Sequence, residues 1–251
     1  MTIKMIVTDL DGTLLLDDKT VSPRTITALR ICRENGIKLV FATGRGASSA
    51  TVAPPDLFDG SVLNNGAVVY VGNELIYSKL MPFDMIRELL LACDNAGIKI
   101  VAENSSNHYS NFDLNKEWGL SNFHFINSSF CNLHDDIEKI YAIVDSPVVP
   151  EFILHHLPDN TYMFVTYDDL AMVMHKEATK SKGVAVLAEY WNISKNEILS
   201  FGDDLNDIDL LKYSGLGVAM GNAVDEVKAA SDHICDTNEN DGIARLLESI
   251  V

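Results

Sequence analysis

The sequence predicts an α/β fold: a doubly wound parallel-sheet (Rossmann-like) core interrupted by an inserted α+β module. Three observations point there. Short, continuously apolar runs alternate with helical patterns at both ends of the 251-residue chain, as parallel strands covered on both faces do. The middle of the chain breaks that alternation. The most polar motifs fall where apolar runs end, which is where ligand crevices form in open α/β sheets.

Taken in order, Lys4 to Thr8 is a short β-rich run that delivers Asp9. Ser22 to Asn35 is amphipathic, with Ile26, Leu29, Ile31 and Arg33 around its helical wheel. Ser22 is placed as its N-cap, Pro23 at its first position and Gly36 as its stop. Ile37 to Ala42 is a second apolar strand and Ser61 to Leu63 a third. Between them, Gly46 to Gly60 holds Pro54 and Pro55 and offers no long helix. Near the C-terminus the scheme returns: helix Lys182 to Trp191, strand Ile198 to Phe201, helix Asp207 to Tyr213, strand Gly217 to Met220, helix Ala223 to Ala230. The middle reads helix Asp84 to Ala96, strand Ile98 to Glu103, a polar Asn- and Ser-rich stretch, then strand Lys139 to Asp145. A short helix near Pro150 to His156 and strands Tyr162 to Tyr167 and Ala171 to His175 complete it. The expected division is a core of 1–81 and 178–251 around a separate module of 82–177.

Composition narrows the function classes. Hydrophobic residues make up 47% of the chain, ample for a buried core. Runs such as Ile37 to Ala42 are far shorter than the ~20 residues of a membrane-spanning helix. Met1-Thr2-Ile3-Lys4 leads into a strand and not into a secretory signal. Cys32, Cys93, Cys131 and Cys235 are scattered, with no CxxC pair, and read as reduced thiols of a cytoplasmic protein. Nineteen basic against thirty-six acidic residues give a net charge of −17, which argues against a nucleic-acid partner. An acidic enzyme acting on anions then needs locally placed cations or a metal.

Four clusters carry chemistry. Asp9-Leu10-Asp11-Gly12-Thr13-Leu14 closes the first strand, and two carboxylates two residues apart suit a nucleophile and a general acid. Ala42-Thr43-Gly44-Arg45 follows the second strand and offers a hydroxyl and free amides to a phosphate. Lys180-Ser181-Lys182-Gly183 opens a helix with cations that oppose its dipole, a local rule broken in the way functional sites break one. Gly202-Asp203-Asp204-Leu205-Asn206-Asp207 is oxygen-rich and suits Mg²⁺. Each has a purely structural counterpart as a turn, cap or solvated face. Their joint placement argues for one pocket, in which Asp9, Asp11, Asp203 and Asp207 repel one another unless a cation joins them.

With these motifs in this order, DLDGT, TGR, the KG pair and GDxxND, the sequence resembles the haloacid dehalogenase superfamily, in particular its Cof-type phosphatases. The resemblance covers nearly the whole chain. It implies that Asp9 attacks phosphorus, forming an aspartyl-phosphate, and also touches Mg²⁺. Asp11 is implied as the acid that protonates the leaving oxygen and then activates water, with its backbone carbonyl on the metal. Thr43 and Lys182 are implied to hold the phosphoryl group, with Gly44 and Arg45 beside them. Asn65, in Asn65-Gly66-Ala67, is implied as a phosphate contact. Asp203 and Asp207 are implied as metal ligands, and Asn206 as a contact to phosphate or to Lys182. Gly221-Asn222-Ala223 and Asp241-Gly242 match recurrent turns and read as structural. The middle module is implied to be a substrate-specificity cap, with Arg45, His108, Tyr109, Asn111 and His175 as candidate lining.

The expected activity is Mg²⁺-dependent hydrolysis of phosphate monoesters of small metabolites, sugar phosphates first, with pyridoxal, flavin or nucleotide monophosphates behind. A phosphomutase using the same aspartates, or a catalytically silent protein binding a phosphorylated ligand, stands as the alternative. A dehalogenase fits less well, because carbon–halogen cleavage has no use for the acid Asp11.

Overall fold

The computed structural model describes residues 2–46, 52, 54, 56–105, 107–118, 124–127, 130, 133–166 and 169–250, with backbone alone for 124–127. Cys131, Tyr167 and much of the Gly46 to Gly60 segment lie outside the described residues. The chain forms two compact units, Met1–Ser78 with Thr179–Val251, and Lys79–Ala178.

The first unit is built on an eight-stranded sheet. Its strands are β1 (Met5–Thr8), β2 (Lys38–Ala42), β3 (Gly60–Leu63), β4 (Val68–Val71) and β5 (Glu74–Ser78), then β12 (Ile198–Gly202), β13 (Leu216–Ala219) and β14 (His233–Ile234). Helices α1 (Pro23–Glu34), α5 (Lys180–Tyr190), α6 (Ile208–Tyr213), α7 (Asp225–Ala230) and α8 (Gly242–Ile250) belong to the same unit. The order is β14-β13-β12-β1-β2-β3-β4-β5. β14 to β3 are parallel, and β3-β4 and β4-β5 are antiparallel. From β1 the chain first builds outward through β2 and β3, and later through β12 on the other side. The order therefore reverses beside β1, so the carboxyl ends of β1, β2 and β12 flank a crevice.

Both faces of the sheet are covered. Met5, Val7, Val40, Ala42, Val62 and Ile198 pack on Val184, Leu187 and Ala188 of α5 and Leu210 of α6. The alternate residues Ile6, Leu39, Leu199 and Phe201 are equally buried on the opposite face, where α1 packs on β2 and α8. Each such side chain removed from water contributes about 1.5–3 kcal/mol, which explains why the central strands read as unbroken apolar runs. α1 starts as expected: Ser22 accepts from the Thr25 amide, Pro23 follows, and Gly36 turns out of the helix at φ 83°. Its buried face is Thr25, Ala28, Leu29 and Cys32, so Ile31, expected on the helical wheel as an apolar position, is 46% exposed. The β4–β5 hairpin at the sheet edge is an addition that the sequence reading did not place.

The second unit is a six-stranded sheet with helices. Helices α2 (Phe83–Asn95), α3 (Leu114–Trp118) and α4 (Val148–His155) accompany strands β6 (Ile100–Asn104), β7 (Asn107–Ser110), β8 (His124–Asn127), β9 (Lys139–Ile143), β10 (Thr161–Val165) and β11 (Leu170–His175). The order is β10-β11-β9-β6-β7-β8, antiparallel throughout except β7–β8. Ile86, Leu89, Leu90 and Cys93 of α2 and Val149 and Ile153 of α4 pack on Ile100, Ala102, Ile140, Ala142, Ala171 and Val173. The polar Asn- and Ser-rich stretch, in which the sequence reading names no element, holds β7, α3 and β8.

Cys32, Cys93 and Cys235 are free thiols. Among the described residues no helix is long and apolar enough to cross a membrane.

Candidate active site

Three loops leave the carboxyl ends of adjacent strands. After β1, the Asp9 amide is bonded to Phe201 O of β12 at 3.1 Å, which fixes where its carboxylate points. Residues 10–14 then form a wide turn closed by Leu15 N–H to Leu10 O at 2.8 Å. Gly12 is left-handed there (φ 72°), and a Cβ on it would lie 2.3 Å from Asp203 Oδ2. No side chain fits.

After β12, Asp207 receives the amides of Asp203 (3.0 Å) and Asp204 (3.2 Å) on Oδ2. Thr13 donates to Asp203 Oδ1 at 2.6 Å, tying this loop to the first. After β2, Thr43 is buried and its Oγ1 accepts from the Arg45 amide at 3.1 Å. Asn65 sits beside it at φ 51°, with its amide on Thr43 O at 2.9 Å and its Oδ1 accepting from Asn206 Nδ2 at 3.0 Å. Gly44 packs on Asn65, and a Cβ there would be 3.3 Å from Asn65 Oδ1.

The lysine of the site is Lys180, not Lys182. Lys180 Nζ lies 2.6 Å from Asp9 Oδ1 and 2.5 Å from Asp207 Oδ1, with the side chain wholly buried. Lys182 is exposed, and only its backbone amide is used, donating to Thr179, the N-cap of α5, at 3.3 Å. The reason is helical phase. Val184 and Leu187 of α5 are buried, and Gly183 lies so close to β3 that a Cβ would be 2.4 Å from Val62 Cγ1. Lys180 is three, four and seven residues before these and shares their face, whereas Lys182 points elsewhere. Starting the helix at Lys182 conceals that relation; the apolar period extended back one turn reveals it. Gly66 completes the placement. At φ 103° it lies against Thr179, where a Cβ would be 2.1 Å from Thr179 O.

Electrostatics follow from crowding. Asp9, Asp203 and Asp207 each present an oxygen within 4.8 Å of the others. Burial raises Asp9 well above the usual carboxylate range; the Asp207 and Asp203 charges add to this, and Lys180 opposes it. Asp203 is raised to about 7, by burial first and then by the Asp207 charge. Burial disfavours a charged Lys180, but Asp207 and Asp9 together outweigh it and raise its pKa. Three carboxylates against one ammonium leave the pocket short of positive charge. An all-oxygen donor set with excess negative charge fits a hard divalent cation.

Asp11 lies in a different environment. Arg45 grips it with both arms, Nε on Oδ2 and Nη2 on Oδ1, each at 2.5 Å, and Lys19 adds Nζ on Oδ1 at 2.9 Å. Burial, which alone raises a carboxyl, is outweighed by these two cations, and the Asp11 pKa is lowered. In this arrangement Asp11 is ionised and suited to act as a base. Thr13 and Lys19 are two contacts that sequence reasoning missed. Lys19, in a tight turn at φ 66°, carries no motif signal beyond its nearness to Asp11.

The structure therefore brings Asp9, Asp11, Thr43, Gly44, Arg45, Asn65, Asp203, Asn206 and Asp207 to the adjoining loops after β1, β2, β3 and β12 and excludes the Lys182 side chain. The candidate lining residues of the second unit have local partners. Asn111 holds Ile100 N, Ile98 O and Asp94. Tyr109 donates to Asp135, and His175 Nδ1 accepts from the Glu177 amide at 3.0 Å. His108 lies 3.1 Å from Tyr141 Oη, beside a buried Glu103–Lys139 ion pair at 3.0 Å.

The model of the haloacid dehalogenase-like hydrolases matches residues 6–247. The chain belongs to this family. Among curated members, a putative phosphatase of Haemophilus influenzae is 30% identical over 99% of this chain and 98% of its own length. The 5-amino-6-(5-phospho-D-ribitylamino)uracil phosphatase YitU of Bacillus subtilis is 28% identical, covering 97% and 96%. Among solved structures, a subclass IIB sugar phosphatase of the superfamily superimposes with a TM-score of 0.84 at 25% identity, over 98% of each chain. As a member of the haloacid dehalogenase-like hydrolases the chain is an enzyme, and its acidic cluster is one that can hold a metal.

Proposed function

We propose that the chain is a Mg²⁺-dependent phosphatase that hydrolyses phosphate monoesters of small polyhydroxylated metabolites through an aspartyl-phosphate on Asp9. One observation carries this reading: a buried carboxylate, Asp9, shares an ammonium with Asp207 and lies within metal-sharing distance of Asp203 and Asp207. Nucleophile, counter-charge and cation seat thus occupy one point. Asp9, Asp203 and Asp207 would hold the Mg²⁺, which when bound neutralises carboxylate and phosphate charge and so lets two anions meet.

In the first step an Asp9 carboxylate oxygen attacks phosphorus, and the bond to the ester oxygen breaks. The departing oxygen takes a proton from Asp11. In the second step water attacks the phosphorus of the aspartyl-phosphate and Asp11 takes up its proton, freeing inorganic phosphate and Asp9. Because Arg45 and Lys19 hold Asp11 ionised, the first step requires them to release it. A phosphate dianion competes for those same cations. Lys180 fixes the Asp9 rotamer and offsets charge as it develops. Thr43 and Asn65 present hydroxyl and amide groups beside the attack point.

Two relatives support the substrate class, because a sugar phosphatase and a ribityl-phosphate phosphatase both act on polyol phosphates. The inserted unit, Lys79–Ala178, is proposed as the part that selects the leaving group. The test is phosphate release from a panel of sugar and polyol phosphates, with and without Mg²⁺, alongside Asp9→Asn. Mg²⁺-dependent release that disappears in a folded Asp9→Asn protein is expected. Release by purified Asp9→Asn, or release indifferent to EDTA, would refute the proposal. Exchange of phosphate between sugar positions without net release would identify a mutase instead.

A further inference from the structure

Asn222, in a turn that looks purely structural in the sequence, joins the two loops that hold the acidic cluster. Its side-chain amide donates to Gly12 O at 2.7 Å. Gly12 lies between Asp11 and Thr13, and its wide turn leaves its carbonyl outside any strand or helix ladder. Glycine at that position is also the residue freest to rotate. The Asn222 carboxamide oxygen is itself held, accepting the Asn238 amide at 3.1 Å. Asn238 Nδ2 in turn donates to Leu15 O at 3.0 Å, at the far end of the same turn.

The segment that carries Asn222 also grips the other loop. Met220 N–H donates to Gly202 O at 3.0 Å and Val224 N–H to Asp203 O at 3.1 Å. Residues 220–224 therefore hold the last carbonyl of β12 and the one after it by backbone, and the Gly12 carbonyl by side chain. The separation between the Asp9 and Asp203 loops depends on these bonds and on Thr13 to Asp203.

We propose that Asn222 is a positioning residue that sets the spacing of the Asp9 and Asp203 carboxylates for a divalent cation. This rests on the Mg²⁺-dependent reading above. Asn222 is exposed and its side chain bonds Gly12 and Asn238, so its loss loosens the spacing without emptying the core. Residues that orient metal ligands from behind typically matter ten- to a hundredfold for metal affinity. One exposed hydrogen bond stands at the low end of that range.

The experiment is calorimetric titration of Mg²⁺ into substrate-free wild type, Asn222→Ala and Asn222→Asp, with melting temperatures of the metal-free proteins and turnover against Mg²⁺. Asn222→Ala is expected to raise the Mg²⁺ dissociation constant about tenfold, with the half-saturating Mg²⁺ for turnover following. The metal-free melting temperature and the substrate KM at saturating Mg²⁺ should stay unchanged. Asn222→Asp keeps the acceptor for Asn238 and adds negative charge but removes the donor to Gly12, and it should weaken binding as the alanine does. Unchanged Mg²⁺ affinity in Asn222→Ala, or tighter binding in Asn222→Asp, overturns the proposal while leaving the phosphatase reading intact. Lowered metal-free stability with normal Mg²⁺ affinity shows a structural role only and overturns it too. A wild type that binds no Mg²⁺ overturns both.

Discussion

Replacing Lys180 with methionine tests the central electrostatic arrangement. Methionine keeps the length and apolar stem, so the change removes the ammonium and little packing. Two carboxylates, Asp9 and Asp207, then lose a partner at 2.6 and 2.5 Å in a fully buried setting. Breaking a buried pair by removing one partner costs about 3–5 kcal/mol. For a unit of this size each kcal/mol lowers the melting temperature by roughly 2–4 °C, which gives a deficit of about 6–20 °C in metal-free protein at neutral pH. The sign with pH is definite. Without Lys180 the native state holds Asp9 raised still further, since the one group that lowers it is gone, and so binds more protons than the unfolded chain. Stability then falls as pH rises, and the deficit should shrink as pH is lowered towards 5. Saturating Mg²⁺ should recover part of it by supplying positive charge. The assay is differential scanning calorimetry of Lys180→Met and Lys182→Met in EDTA at pH 5.5 and 7.5, repeated with Mg²⁺. Lys182→Met should melt within about 1 kcal/mol of wild type, as exposed substitutions do. A Lys180→Met protein as stable as wild type at pH 7.5, or a Lys182→Met protein as damaged as expected for Lys180→Met, would refute the reasoning.

Other outcomes follow from the same geometry. Turnover in Lys180→Met should drop by at least a hundredfold while Lys182→Met keeps most of it, about 3 kcal/mol or more separating the two barriers; steady-state rates in excess Mg²⁺ decide it. Metal-free wild type should lose stability as pH rises from about 4 to about 7, the window in which native Asp203 keeps a proton that the unfolded chain has released. The slope should flatten in Asp203→Asn, and melting curves in EDTA across that range would show it. Gly66→Ala forces a Cβ to 2.1 Å from Thr179 O at a left-handed φ, so a cost of roughly 1–3 kcal/mol from the backbone alone is expected. Urea unfolding measures that cost, and a melt equal to wild type would show that the turn relaxes freely. Arg45→Lys should lower kcat several-fold, because a point charge cannot reproduce the two-armed fork that passes from Asp11 to the phosphate dianion; an unchanged rate would make that fork incidental.

The sequence made the α/β architecture legible because β1, β2, β12 and β13 are buried on both faces and therefore contain almost nothing polar. Helix α1 was legible through its cap and stop, but not the direction of Ile31, since one apolar residue off a stripe does not change its period. The hairpin β4–β5 lay hidden because Val68–Val71 is apolar while Glu74–Ser78 is mostly exposed at an edge. The Asn- and Ser-rich stretch concealed β7 and β8 because neither composition nor alternation there reads as a strand. At the site, carboxylates announced themselves in motifs at strand ends. Lys180 did not, because two lysines two residues apart differ only in helical phase, and the phase is set by Gly183 meeting Val62. Asn222 was visible as a turn, but its partner Gly12 is far away along the chain, a relation that only folding creates.

The pairing of β1 with β12 also bears on how the protein is made. Met5 lies against Ile198, so on a ribosome adding about 5–20 residues per second the first strand waits on the order of 10 to 40 s for its neighbour. During that time β1 to β5 form at most a partial sheet whose β1 edge is a bare row of unpaired amides, with apolar side chains on both faces, the kind of surface that invites pairing with another chain. The inserted unit contains all six of its strands before Thr179 is synthesised and is free to fold in the interval. Asp9 emerges 171 residues ahead of Lys180, and Asp207 comes later still. The charges that make the pocket costly therefore meet only after the inserted unit has been synthesised, and a product that stops before Thr179 would display hydrophobic strands without ever assembling the acidic cluster.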